Sequence, residues 1–172
     1  MKRFFKNYLK EFVYGALDGT VTTFAIIAGS AGANLDSKIV LILGISNVLA
    51  DGFSMASSNY LSEKSEREQC GDEPKGIKIK PFRHAFATFI SFIVIGSIPL
   101  LPYLFNAIFD IWNDKIFIIS CIFTSVAFIL VGQIRGRMTN KNEFFSVFET
   151  LAIGGVAATV AYAVGAFLAK VV

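Results

Sequence analysis

The chain has 172 residues, 54% of them hydrophobic and only 17% charged, with a mean hydropathy of +0.60 and a net charge of +3. Soluble domains carry about 25% charged residues, so this composition argues against an ordinary soluble enzyme, and the length fits one domain. The net charge alone would permit a nucleic-acid partner, but the cations form no basic patch and sort instead by position between apolar runs, so none is expected.

A spanning helix needs about 20 mainly apolar residues, and five stretches meet that need, at about 12–33, 37–62, 83–108, 115–135 and 147–169. The fold class is therefore an all-α integral membrane protein of five transmembrane helices, with 1–172 as a single domain. The first span carries Asp18, and the sequence Asn34-Leu35-Asp36-Ser37 returns the chain at once as the second, making the two antiparallel neighbours. A basic start, an apolar run and Ala31-Gly32-Ala33 imitate a secretory signal. The acid inside the apolar run and the span that follows directly argue for a retained helix.

The second span is split by Asp51, and residues 63–82 form a short charged loop whose first part can continue the helix. Pro99 and Pro102 should kink or end the third span. A loop near Asp110 to Lys115 leads to the fourth span, and Gly136 to Asn142 turns the chain into the fifth. Thirteen of the sixteen Lys and Arg fall before span one, between spans two and three, or between spans four and five. Cytoplasmic loops collect such residues, which predicts a cytoplasmic N-terminus and an external C-terminus. Cys70 and Cys121 lack CxxC spacing and predict neither a disulfide nor a zinc site.

Acids inside a bilayer are costly and mark cavities or partners. Asp18, Asp51 and Glu149 are the candidates, and no Lys or Arg lies in the interior of the spans, away from their ends, to neutralise them. Measured from the starts of spans one and two, Asp18 and Met55 reach similar depths, with Asp51 near the midplane. Asn47, Asp51 and Met55 repeat at i, i+4 and i+8 along one side of span two, and Asp18 with Thr22 does so on span one. Carboxylate, carboxamide, hydroxyl and thioether donors suit Mn²⁺ or Fe²⁺ better than Zn²⁺ or Cu²⁺. Burial favours a neutral acid and an arriving dication favours the carboxylate, a physical basis for exchanging metal against protons.

The structural readings of these residues are also physical. Asp18 fits a snorkelling or helix-contact position, Glu149 fits the N-terminus of span five as well as a proton-coupling site, and His84 reads as interfacial. Glu63 and Glu66, i, i+3 neighbours at the basic end of span two, read as a solvated face or as a cation-attracting entrance. Gly15-x-x-x-Gly19, Gly154-x-x-x-Ala158 and Ala161-x-x-x-Gly165 permit close helix approach. Five helices are a small body to enclose a path, so a homodimer with helix 1 near the two-fold axis is expected, pooling two Asp18 and two Met55.

The segments Tyr14-Gly15-Ala16-Leu17-Asp18-Gly19, Ala50-Asp51-Gly52-Phe53-Ser54-Met55, Tyr60-Leu61-Ser62-Glu63-Lys64-Ser65-Glu66, Pro99-Leu100-Leu101-Pro102-Tyr103 and Glu149-Thr150-Leu151, in this order, resemble the vacuolar iron transporter family. The resemblance implies a five-helix dimer that moves Fe²⁺, and often Mn²⁺, out of the cytoplasm in exchange for H⁺. It also implies an axial path lined at the positions of Asp18 and Met55, with no permanently bound cofactor. Many relatives carry a glutamate where this chain has Asn47, and Asp51 is expected to take over that role. The Glu- and Met-rich cytoplasmic domain of eukaryotic relatives is replaced by the short loop, which points to a prokaryotic plasma membrane, an organelle membrane being the other host. No Ser/His pair or HExxH motif points to an enzyme. A non-transporting membrane scaffold is the competing class.

Overall fold

The structure, a computed structural model, describes residues 2–70, 81–112 and 115–171. Helices α1 (Lys2–Gly32) and α2 (Ser37–Cys70) form a long hairpin, followed by α3 (Pro81–Gly96), a 3₁₀ turn (Ile98–Leu100), α4 (Leu101–Phe109), α5 (Ile116–Met138) and α6 (Glu143–Leu168). Helices satisfy their own backbone polar groups, as hydrocarbon requires. Among the described residues, five units are long and apolar enough to cross a bilayer: Tyr8–Gly32, Ser37–Gln69, Pro81–Phe109, Ile116–Met138 and Glu143–Leu168. The chain is thus a multi-pass helical membrane protein.

Local chemistry sets the boundaries. Asn34 takes a left-handed conformation, φ 55°, and the Asp36 carboxylate accepts from the Lys38 N–H at 2.8 Å, which closes the α1–α2 turn and starts the next helix. The third crossing breaks at its prolines: α3 stops at Gly96, and Pro99 lies in the 3₁₀ turn. The Pro99 carbonyl accepts from Ser120 Oγ at 2.7 Å, tying the break to α5. At the far end of α5, Asn140 turns the chain with φ 52°, and Asn142 caps α6 by accepting from the Phe144 N–H. Of the expected loop 63–82, residues 63–70 belong to α2 and 71–80 lie outside the described residues.

Helix α1 is the centre of the bundle. It packs most extensively on α3 and α6 and also meets α2 and α5. The small-residue motifs explain how. A Cβ on Gly15 would collide with Ser91 and the Thr88 carbonyl of α3, and one on Gly96 would lie 2.9 Å from the Gly19 backbone. Gly165 of α6 is pressed against the Gly29 backbone, and Gly32 against Tyr162. The Gly15-x-x-x-Gly19 and Ala161-x-x-x-Gly165 motifs are therefore used inside the protomer, to seat α1 against α3 and α6.

Phe24, Ile27, Val40, Val48, Leu100, Tyr103 and Ile116 form a buried apolar cluster among α1, α2, the 3₁₀ turn, α4 and α5. Buried hydroxyls need a partner in such surroundings, and Thr20, Thr124 and Thr150 each donate to the carbonyl four residues earlier. Large apolar side chains such as Ile42, Phe53, Phe86, Ile122 and Val156 face outward, where a bilayer is their solvent.

Candidate ion path

Asp18 lies fourteen residues before the end of α1, and Asp51 fourteen residues after the start of α2. At about 1.5 Å per residue, both stand about 21 Å from their shared turn, while Met55 stands about 27 Å from it. The level partner of Asp18 is therefore Asp51. The depth match with Met55 expected from the sequence came from placing the start of α1 near Phe12, whereas the common turn is the proper origin. Both acids are half-buried. Among the described residues, neither acid forms an ion pair.

Around these acids, Met55 is buried, 8% exposed, on the inward side of α2. Asn47 is half-buried, and its Nδ2 is buried without a hydrogen-bond partner among the described residues. Thr22 donates its hydroxyl proton to the Asp18 backbone carbonyl at 2.8 Å, leaving oxygen lone pairs rather than a proton to offer. On α1, Lys10 and Tyr14 are exposed and Asp18, Thr22 and Ala25 half-exposed, a stripe that α3 and α6 leave uncovered.

The row Asn47, Asp51, Met55 continues at the same spacing to Asn59 and Glu63. Four residues advance a helix by about 40° beyond a full turn, so the row slants around α2 and changes neighbours. Asn59 Nδ2 donates to Thr88 Oγ1 of α3 at 2.8 Å. One turn on, Glu63 Oε1 is 3.3 Å from His84 Nδ1. That same nitrogen is 2.7 Å from Oε1 of Glu11, which is 5% exposed. His84 is accordingly not a free interfacial residue but a half-buried link joining α1, α2 and α3, with the Tyr8 ring beside it. Glu11 escaped the sequence reading because it precedes the apolar run; its place two turns before Asp18 on the same helix was the available signal.

Glu149 also differs from expectation. Arg135, at the end of α5, reaches it with Nη2–Oε2 2.8 Å. The α5–α6 turn brings the two together, so this acid has the counter-charge that the sequence reading denied it. Glu66 is exposed on the projecting part of α2. The structure thus sets Asp18 and Asp51 at one level, puts Glu63 in a second cluster beyond Met55, and pairs Glu149 with Arg135.

The sequence profile of the VIT family matches residues 9–75 and 69–166 of the chain. The chain is 26% identical to a vacuolar iron transporter of Toxoplasma gondii, over 96% of this chain and 76% of the relative. It is 27% identical to vacuolar iron transporter 1 of Eucalyptus grandis, over 90% and 84%, and 27% identical to that of Arabidopsis thaliana, over 95% and 86%. These names are vacuolar and give no support to a prokaryotic plasma membrane for this chain.

Proposed function

This chain belongs to the VIT family, and from that premise we propose that it is a metal transporter that moves Fe²⁺ or Mn²⁺ out of the cytoplasm in exchange for protons. The observation that carries the reading is the pair of half-buried acids at one level, Asp18 and Asp51, without a cationic partner among the described residues. Uncompensated carboxylates are expensive at that depth. Either a proton or a dication relieves the cost, and competition between the two couples their movements.

Asp18, Asp51, Met55 and Asn47 then form the metal path, with an oxygen-rich donor set and one soft sulfur suited to Mn²⁺ and Fe²⁺. The unpartnered amide of Asn47 is a further polar group on that path. A homodimer related by a two-fold axis along the uncovered stripe of α1 would bring two copies of Asp18 together. The distribution of Lys and Arg sets the projecting end of α2, with Glu63 and Glu66, in the cytoplasm as the entrance.

Purified protein in liposomes, loaded with a pH dye and given Fe²⁺ or Mn²⁺, tests this reading. Metal flux accompanied by counter-movement of protons is expected, and Asp51→Asn should remove the coupling. Metal flux with no proton movement would exclude exchange. No flux of either would favour a scaffold, and full coupling in Asp51→Asn would reject the role given to that residue.

A further inference from the structure

The geometry points to a second metal site, distinct from Asp18 and Asp51, in which Glu11, Glu63 and His84 hold a divalent transition-metal ion at the projecting end of the bundle. One ligand atom from each residue lies within 4.8 Å of the others. Two ligands at right angles around an ion, each about 2.1 Å away as for a first-row metal, stand about 3.0 Å apart. The separations of His84 Nδ1 from the two carboxylate oxygens, 2.7 and 3.3 Å, bracket that value. Each carboxylate therefore stands at coordination spacing from the imidazole nitrogen, and all three donors lie within 4.8 Å of one another.

The cluster is also incompletely satisfied without an ion. Glu11 is 5% exposed, and while its Oε1 meets His84, its Oε2 is buried with no partner among the described residues. A histidine held only as a counter-ion for two glutamates leaves that oxygen unexplained; a metal can engage it. The donors are fixed from three helices. Ser91 of α3 donates to the Glu11 carbonyl at 3.2 Å, Asn59 joins α2 to α3 one turn deeper, and Tyr8 packs against the imidazole. Two carboxylates and one imidazole, with water completing the shell, suit Mn²⁺ or Fe²⁺, and the nitrogen gives this site a stronger hold than an all-oxygen one.

The site needs no transport to exist. Its role as the place where cytoplasmic metal is first captured rests on the transport reading. From Glu63, the slanting row through Asn59 and Met55 leads to Asp51.

The chain contains one histidine, which gives a signature no other site can imitate. Full-length protein in detergent, purified without a histidine tag and given Mn²⁺, should show imidazole-nitrogen modulation of the manganese signal in pulsed EPR. His84→Ala should abolish it. Glu63→Gln, which keeps the imidazole, should weaken Mn²⁺ binding by at least roughly tenfold, since even outer partners of metal ligands cost 10–100-fold. The double variant Asp18→Asn, Asp51→Asn should keep the modulation even where transport is lost, so that failure of the two readings is separable. Absence of nitrogen modulation in the native protein overturns the site without recourse to any variant. So does modulation that survives His84→Ala or disappears in the double aspartate variant.

Discussion

Replacing Gly96 by alanine tests whether the seam between α1 and α3 sets the position of Asp18. The added Cβ would lie 2.9 Å from Cα and C of Gly19 and 3.0 Å from its carbonyl oxygen. Carbon atoms prefer about 3.5–4.0 Å, so the helices must part by about 0.6–1.1 Å, and no flexible side chain is there to give way. Overpacking of this kind costs about 1–3 kcal/mol. Alanine returns up to about 1 kcal/mol of helix propensity, less at a helix end, so an overpacking cost in the middle of its range, about 2 kcal/mol, leaves a net loss of about 1–2 kcal/mol. At about 2–4 °C per kcal/mol for a chain of this size, thermal unfolding in detergent should fall by about 2–8 °C. Gly155→Ala is the matched control, since its Cβ would meet nothing within 4 Å, and it should leave the midpoint unchanged or raise it. Because Gly19 adjoins Asp18, Gly96→Ala should also slow metal flux in liposomes, whereas Gly155→Ala should not. Equal stability and equal flux in the two variants would refute the reasoning.

Glu149→Gln should retain proton-coupled flux near the native level, because Arg135 already holds that carboxylate; loss of coupling would return Glu149 to the path. Arg135→Ala should cost no more than about 1 kcal/mol in unfolding measurements, as expected for a partly exposed pair. Tyr14, 60% exposed on the free stripe of α1, should as Tyr14→Cys form a disulfide-linked dimer under mild oxidation in membranes; monomer alone would place the axis elsewhere. With the two native cysteines replaced, Lys141→Cys should react with an impermeant maleimide from the cytoplasmic side and Asp36→Cys only from the opposite side. Labelling of both from one side would contradict the assigned orientation.

The crossings were legible because apolar run length is a property of the chain alone, and Pro99 and Pro102 announced the break that separates α3 from α4. The partners of the glycines were not. Gly15-x-x-x-Gly19 permits close approach to any helix, and only the fold selects Gly96 and Ser91 over a second copy. Asp18 and Asp51 stood out as charges in apolar runs, yet their common level depended on measuring from the turn at Asn34 rather than from an assumed membrane edge. Glu11 and His84 were harder to join, being 73 residues apart in the chain, and each looks like an ordinary flank of an apolar segment. Arg135 and Glu149 are brought together by the α5–α6 turn; assigning Arg135 to the loop side of the boundary hid the pairing.

The glycine contacts of α1 also divide the molecule into parts of unequal freedom. Where backbone faces backbone, as Gly19 does Gly96 and Gly29 does Gly165, the helices sit too close for even a methyl group to fit between them. Helix α1 is thus clasped by α3 at one height and by α6 at another, with Asp18 beside the first of these contacts. At Gly44 and Gly52, α2 meets the side chains of Leu100, Phe89, Phe92 and Ile93, surfaces that can re-pack by changing rotamer. In the transport reading proposed above, a motion that alternately covers and uncovers the two acids is expected to fall to α2 rather than to α1.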